Sequence, residues 1–171
     1  MHRLLAALPL LLALTASQAS ADDLSVSAGY GQDSEGSSQI PIVLTYDHAL
    51  GSGALLLVVR GDLDLNADRP DGQLMKGADC DLQIGLEWQS AADDQVRLVA
   101  GGLLGPVLYT EPGYGVAARG VLGGRVPLAG ARLWLNLEAS GTLAYAQLGD
   151  ESTNDSWVFG TEIVLGLGAR L

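Results

Sequence analysis

The chain holds two histidines, and only His48 lies clear of the first few residues. It follows Asp47. An Asp-His pair could serve a hydrolytic centre in which the imidazole takes a proton from a nucleophile while the acid orients the ring. Such a centre needs a hydroxyl or thiol within hydrogen-bond reach of the imidazole. Asp47-His48 instead stands where an apolar alternating segment gives way to Gly51, Ser52 and Gly53. The pair therefore reads as a turn dipeptide, and no catalytic residue is expected. Cys80 is the only cysteine, which excludes an intramolecular disulfide and a cysteine-based metal cluster. A lone thiol of this kind is expected to be packed. There is no phosphate-binding glycine loop, zinc motif or complete calcium loop, so neither a metal nor a cofactor is expected.

The remaining candidates for chemistry are charges. Twenty acids against nine Lys and Arg give a formal net charge of −11, which argues against a nucleic-acid partner, because phosphates need a basic surface. Asp33, Glu35, Asp68, Asp71, Asp150, Glu151 and Asp155 gather in expected connections. There they read as solvated acids that resist aggregation, with divalent cations bridging lipopolysaccharide phosphates as the alternative. A second set, Arg60, Glu87, Arg97, Arg119, Glu138, Glu162 and Arg170, sits inside segments that are otherwise apolar at every second position. Charges spaced that way share one face of a strand.

The elements that hold them follow a leader. Met1-His2-Arg3, the apolar run Leu4 to Ala13 and the small residues Ala19-Ser20-Ala21 have the order of a removable signal peptide over 1–21. No cysteine follows the cleavage site, so no lipoprotein anchor is expected. Residues 22–171 make one domain's worth of chain. The chain is 48% apolar with a mean hydropathy of +0.25, yet no later apolar stretch approaches the ~20 residues of a membrane helix. The longest, Ala54 to Val59, stops at Arg60. A membrane protein without membrane helices must be a closed barrel, since only closure pairs every backbone group in lipid.

Eight alternating segments are present. Their apolar faces are led by Leu24-Val26, Ile40-Ile42-Leu44, Leu55-Leu57-Val59, Leu82-Ile84-Leu86, Val96-Leu98, Val116-Ala118, Leu133-Leu135-Leu137 and Ile163-Leu165-Leu167. The pattern is imperfect at Ala54 to Val59 and at Val99 and Leu103, which fall among polar-face positions. The connections 32–38, 66–78, 105–113 and 149–155 read as long, and 48–53, 90–94 and 127–130 as short. This suits long external loops and short periplasmic turns, with the N-terminus periplasmic. The fold expected is an all-β, eight-stranded antiparallel up-and-down transmembrane β-barrel.

Two classes of barrel differ in which face is inside. A soluble lipocalin-like binder keeps Leu and Val inside, whereas a membrane barrel turns them to lipid. The polar face here carries Gly, Ser and scattered Arg and Glu, and facing Arg60 and Arg119 to lipid would cost ~2–4 kcal/mol each at the midplane. The charges are therefore expected in the lumen as a structural ion-pair network. Opposed positions across short turns set Gln89 against Gln95, Glu87 against Arg97 and Arg119 against Glu138. Tyr30, Tyr114, Tyr145, Trp157 and Phe159 fall at one set of strand ends and Tyr46 and Trp88 at the other, as an aromatic belt would.

Eight alternating strands behind a signal peptide, with charges paired in the lumen, resemble the small outer-membrane barrels of OmpA/OmpX type. The likeness is architectural and covers residues 22–171. Ile163, Leu165, Leu167, Ala169 and Leu171 keep the terminal alternation, with Leu171 where such families end in Phe. The resemblance implies an outer-membrane protein of a Gram-negative envelope, in contact with lipids and lipopolysaccharide and inserted by the barrel-assembly machinery. It implies an adhesive, structural or narrow-pore role. Related lipid A deacylases and acyltransferases use a catalytic His with Ser and an acid, an arrangement not expected around His48. A non-enzymatic structural or surface-interaction protein is the leading expectation, a narrow porin-like pore the next, and a soluble periplasmic binder the third.

Overall fold

The computed structural model describes residues 22–34, 36–51, 54–68, 78–90, 96–109, 113–128, 132–148 and 156–171. The expected leader lies outside them. Eight strands follow one another: β1 (Asp22–Asp33), β2 (Ser38–Leu50), β3 (Leu55–Asp68), β4 (Ala78–Gln89), β5 (Arg97–Tyr109), β6 (Gly113–Pro127), β7 (Leu133–Leu148) and β8 (Ser156–Arg170). Each pairs antiparallel with the next, and β1 pairs with β8, so the sheet closes as an up-and-down barrel. Closure removes the free strand edges that an open sheet would expose.

The register fixes the geometry of the tube. Following paired residues once around the wall leads from Asp23 to Asp47, Val58, Gly85, Leu103, Arg119, Thr142, Gly160 and finally Asp33. One circuit therefore climbs from Asp23 to Asp33 along β1, a shear of ten residues. With a rise of ~3.3 Å per residue and a strand spacing of ~4.8 Å, the strands tilt by about 40° and the tube is about 16 Å across between backbones. Such a lumen is just wide enough for side chains to fill.

Alternation sorts the side chains as the sequence predicts. Outward positions are apolar and open: Leu122, Trp157, Ile163 and Leu167 are each at least 60% exposed. Inward positions are polar and covered: Arg60, Gln83, Glu87 and Asp47 are each 1% exposed. The imperfect strands are explained by a small apolar patch inside the tube, where Leu56 and Val58 of β3 meet Leu103 of β5 and Val121 of β6. Val107, Ala117 and Ala144 form a second one.

The connections differ from expectation. At the end opposite the termini they span 34–37, 69–77, 110–112 and 149–155, and at the termini end 51–54, 90–96 and 128–132. The long-short contrast is thus weaker than the sequence suggests. The strands run on through Gly-, Pro- and Ser-containing residues that read as loop, because ladder pairing outweighs weak local propensity. Gly36 (φ 85°) and Gly51 (φ 59°) supply the left-handed backbone in the first two connections.

Toward the termini end Trp134 turns into the lumen. Its indole is 6% exposed and lies over Gly168, where a Cβ would collide with the ring. Trp134 stands between the outward residues Leu133 and Leu135, so alternation alone turns it inward. Gly168→Val is expected to displace the ring, lower stability to urea by about 1–3 kcal/mol in detergent and red-shift the tryptophan emission. An unchanged spectrum and midpoint would remove this packing account.

Candidate functional site

The inward faces of the strands bring their charges into one network in the middle of the tube. Arg60 of β3 donates from Nε to Asp62 (2.8 Å to Oδ1), from Nη1 to Glu138 of β7 and from Nη2 to Glu162 of β8 (3.3 Å). Arg119 of β6 donates from Nη2 to Asp62 (2.6 Å) and Asp81 (3.3 Å), and from Nη1 to Glu162 (2.7 Å). Ser140 Oγ lies 3.4 Å from the same Nη1. Asp62 and Glu162 are each shared by both guanidiniums, which locks the two arginines to one another through their common anions.

Nearer the termini, Arg125 reaches Asp47 (2.6 Å) and Glu87 (3.5 Å). Arg170 Nε lies 3.5 Å from Asp23. Most of these pairs join strands that are not neighbours in the sheet. A guanidinium on a long stem spans much of a lumen this narrow, and so reaches acids that strand pairing never sets opposite it.

That geometry corrects the expected pairings. Glu87 opposes Gly101 rather than Arg97, and its ionic partner is Arg125. Arg97 lies inward opposite Arg125. Arg119 opposes Thr142 rather than Glu138, and Glu138 is held by Arg60. Gln89 opposes Val99, and Gln95 lies outside the described residues. Both hairpin errors have one cause: the turns 90–96 and 128–132 are centred later in the chain than expected, which slides every opposed pair. Arg170 and Asp23 are in contact and also opposed across a ladder. Asp23, Asp47, Asp62, Asp81 and Arg125 join these contacts without having been singled out; their inward parity was the available signal.

His48 lies within β2, on the outer wall near the termini, and not in a turn. Its Nδ1 is 2.8 Å from Asp22 Oδ1, and the Tyr46 hydroxyl donates to Asp22 Oδ2 at 2.9 Å. The opposed residue on β3 is Leu57. Cys80 is exposed on the outer wall between Leu63 and Leu108 rather than packed. Of the acids expected in connections, Asp33 ends β1 and accepts the Ser37 N–H at 2.9 Å, and Asp68 ends β3. Glu35, Asp71, Asp150, Glu151 and Asp155 lie outside the described residues.

The outer wall completes the picture. Tyr30, Tyr114, Tyr145, Trp157 and Phe159 are exposed near the strand ends away from the termini, and Trp88 is exposed at the other end. The Tyr145 and Trp157 rings lie 5.2 Å apart and tilted by 57°, a geometry aromatic pairs favour. Tyr46 is half-buried against Asp22. Apolar side chains outside and charges inside are the reverse of a soluble ligand-binding barrel.

The backbone superposes on the crystal structure of Neisserial surface protein A, NspA, with a TM-score of 0.66 at 8% identity, covering 88% of this chain and 96% of that one. The fold is that of the small eight-stranded outer-membrane barrels. The outer membrane enzyme PagL matches with a TM-score of 0.61 at 10% identity, over 83% of this chain and 97% of its own. No protein-family model and no curated protein matches the chain. One structural neighbour of this small barrel is a surface protein and another an enzyme, so the shared fold assigns no activity.

The network makes a contrast testable by unfolding in detergent. Arg60→Ala leaves Glu138 and Asp62 buried without that guanidinium and is expected to cost about 3–5 kcal/mol. Arg170→Ala removes a single 3.5 Å contact made by a half-exposed arginine and should cost clearly less, although Asp23 is itself buried. Equal costs would show that burial of the central network does not govern stability.

Proposed function

We propose that this chain is an integral outer-membrane barrel of a Gram-negative envelope, with a structural or surface-interaction role and no enzymatic one. The observation that carries the reading is the inverted wall, apolar outside and ionic inside. A soluble barrel of this sequence would present Leu122, Ile163 and Leu167 to water at about 25 cal/mol for each Å² left uncovered; acyl chains remove that penalty. In this reading the termini and the turns 51–54, 90–96 and 128–132 face the periplasm, the other connections face outward, and the partners are envelope lipids and lipopolysaccharide. The barrel-assembly machinery would insert it, after removal of the leader over 1–21.

The reading expects sedimentation with the outer membrane and a gel mobility that changes on heating, since a closed barrel stays folded in cold detergent. Recovery in the soluble periplasm would end it. The His48 cluster sits on the outer wall beside Leu57, and lipid A mass spectra from cells with and without the protein are expected to be identical. An acyl chain gained or lost would make the protein an enzyme.

The pore reading meets a plugged tube, because Arg60 and Arg119 are 1% and 3% exposed and bonded to acids from several strands. In planar bilayers the unaltered protein is expected to be silent, and Arg119→Ala to give small openings. Reproducible conductance without the substitution would establish the pore instead.

A further inference from the structure

The termini end of the lumen sets two cations against each other. Arg97 of β5 and Arg125 of β6 are opposed across their ladder, and both turn inward. Like charges placed directly opposite destabilise a sheet, and an acid between them would remove the conflict. Among the described residues none stands there. The acids of this end, Asp23, Asp47 and Glu87, belong to β1, β2 and β4 and are engaged elsewhere. Arg125 Nη2 meets Asp47 and Glu87, and Arg170 Nε meets Asp23. Arg97 is within electrostatic reach of Asp23 but makes no ion pair among the described residues.

Arg125 itself is incompletely satisfied. It is 5% exposed, yet its Nε and Nη1 have no hydrogen-bond partner. Four buried side-chain nitrogens among the described residues are bare in this way, and three of them gather at this end: the two on Arg125, and Nε1 of Trp134. The fourth, Arg119 Nε, belongs to the central network. Bare acceptors are spread along the lumen, whereas bare donors are concentrated here. Asn136 opposes Arg125 from β7, and Trp134 is the next inward residue toward the rim. The Asn136 Oδ1 is bare as well; turned about its last torsion, that amide presents N–H instead.

We propose that the termini end of the lumen binds a phosphate group between Arg97 and Arg125. A guanidinium donates and never accepts, so the ligand must bring acceptor oxygens and negative charge. A phosphate group does both, and it can engage two guanidiniums at once. Asp47 and Glu87 hold Arg125 through Nη2 from β2 and β4, which leaves Nε and Nη1 for a ligand on the β5–β7 side. Arg97 is half-buried, so solvent reaches it from the termini end. The phosphate group belongs either to a soluble ion or ester, or to a lipid headgroup folded over the rim. This site rests on the folded barrel alone and not on the barrel's role in the envelope.

The test is calorimetric titration of the full refolded barrel in dodecyl maltoside with sodium phosphate, against sodium chloride at the same ionic strength. Heat-dependent gel mobility checks the folding of each variant. One saturable phosphate site is expected. Arg97→Gln should weaken it by about tenfold or more, while Arg132→Gln, at the exposed rim, should leave it intact. In phosphate-free buffer Arg97→Gln is expected to melt no lower than the unaltered protein, because it removes an opposed like charge. Phosphate should then raise the melting temperature of the unaltered protein and not that of the variant. Repeating the titration in nanodiscs of phosphatidylglycerol separates the sources: saturation that persists means a soluble ligand, and saturation that disappears means a headgroup already in place. Titration without saturable heat in the detergent means that water bridges the bare donors, and overturns the proposal. So does binding that Arg97→Gln leaves unchanged. An Arg97→Gln barrel that melts lower in phosphate-free buffer would show an acid already paired with Arg97, Asp93 or Asp94 of the preceding turn included, and overturns it too.

Discussion

The structure depends on keeping two guanidiniums neutralised inside a tube that water scarcely enters. Arg60 and Arg119 hold each other in place through Asp62 and Glu162, which both of them contact. Those acids come from β3 and β8, so the bonds tie opposite parts of the wall together. An open sheet could not offer this arrangement. The acids stand inward on strands that meet across the lumen only after β1 has paired with β8. Closure and neutralisation are therefore mutually dependent: the tube brings the charges together, and the charges fill a lumen too narrow to stay empty.

The outer wall follows from the same alternation. A strand that turns Arg60, Asp62 and Asp64 inward must turn Val59, Leu63 and Leu65 outward, because the side-chain period is two. The ten-residue climb sets the tilt, and with it the apolar band that the wall presents. Where inward positions are apolar, as at Leu56, Val58, Leu103 and Val121, they cluster rather than scatter. Arg60, Arg119 and Arg125 meet their acids in the rest of the lumen.

How much of this could be read from the sequence follows the range of the interaction. Strand number and face assignment depend on residues two apart, and those were legible, as at Leu82-Ile84-Leu86 against Asp81-Gln83-Glu87. Hairpin register depends on where a turn is centred, and Gly- or Ala-rich segments such as 90–96 mark their centres weakly, so Glu87 was matched to the wrong partner. Contacts across the lumen depend on closure and shear, properties of the whole circuit. No local spacing could join Arg60 to Glu138. His48 was misread because a polar Asp-His dipeptide looks like a turn, whereas here it continues a ladder and finds Asp22 on β1.

These constraints also separate what the fold requires from what it leaves free. Lipid-facing apolar residues are required by the surroundings, and a satisfied polar lumen is required by closure. Neither requires an excess of acid. Arg60, Arg119, Glu138 and Glu162 would make a balanced core by themselves, and an Asn or Ser in place of Asp64 would fill a similar volume without a charge to neutralise. A buried carboxylate with no ion pair to an arginine among the described residues costs stability that the barrel has no architectural reason to give up. In folds shared by proteins of different activity, departures of this kind are where individual function is written. Asp64, on the part of β3 away from the termini, is such a departure.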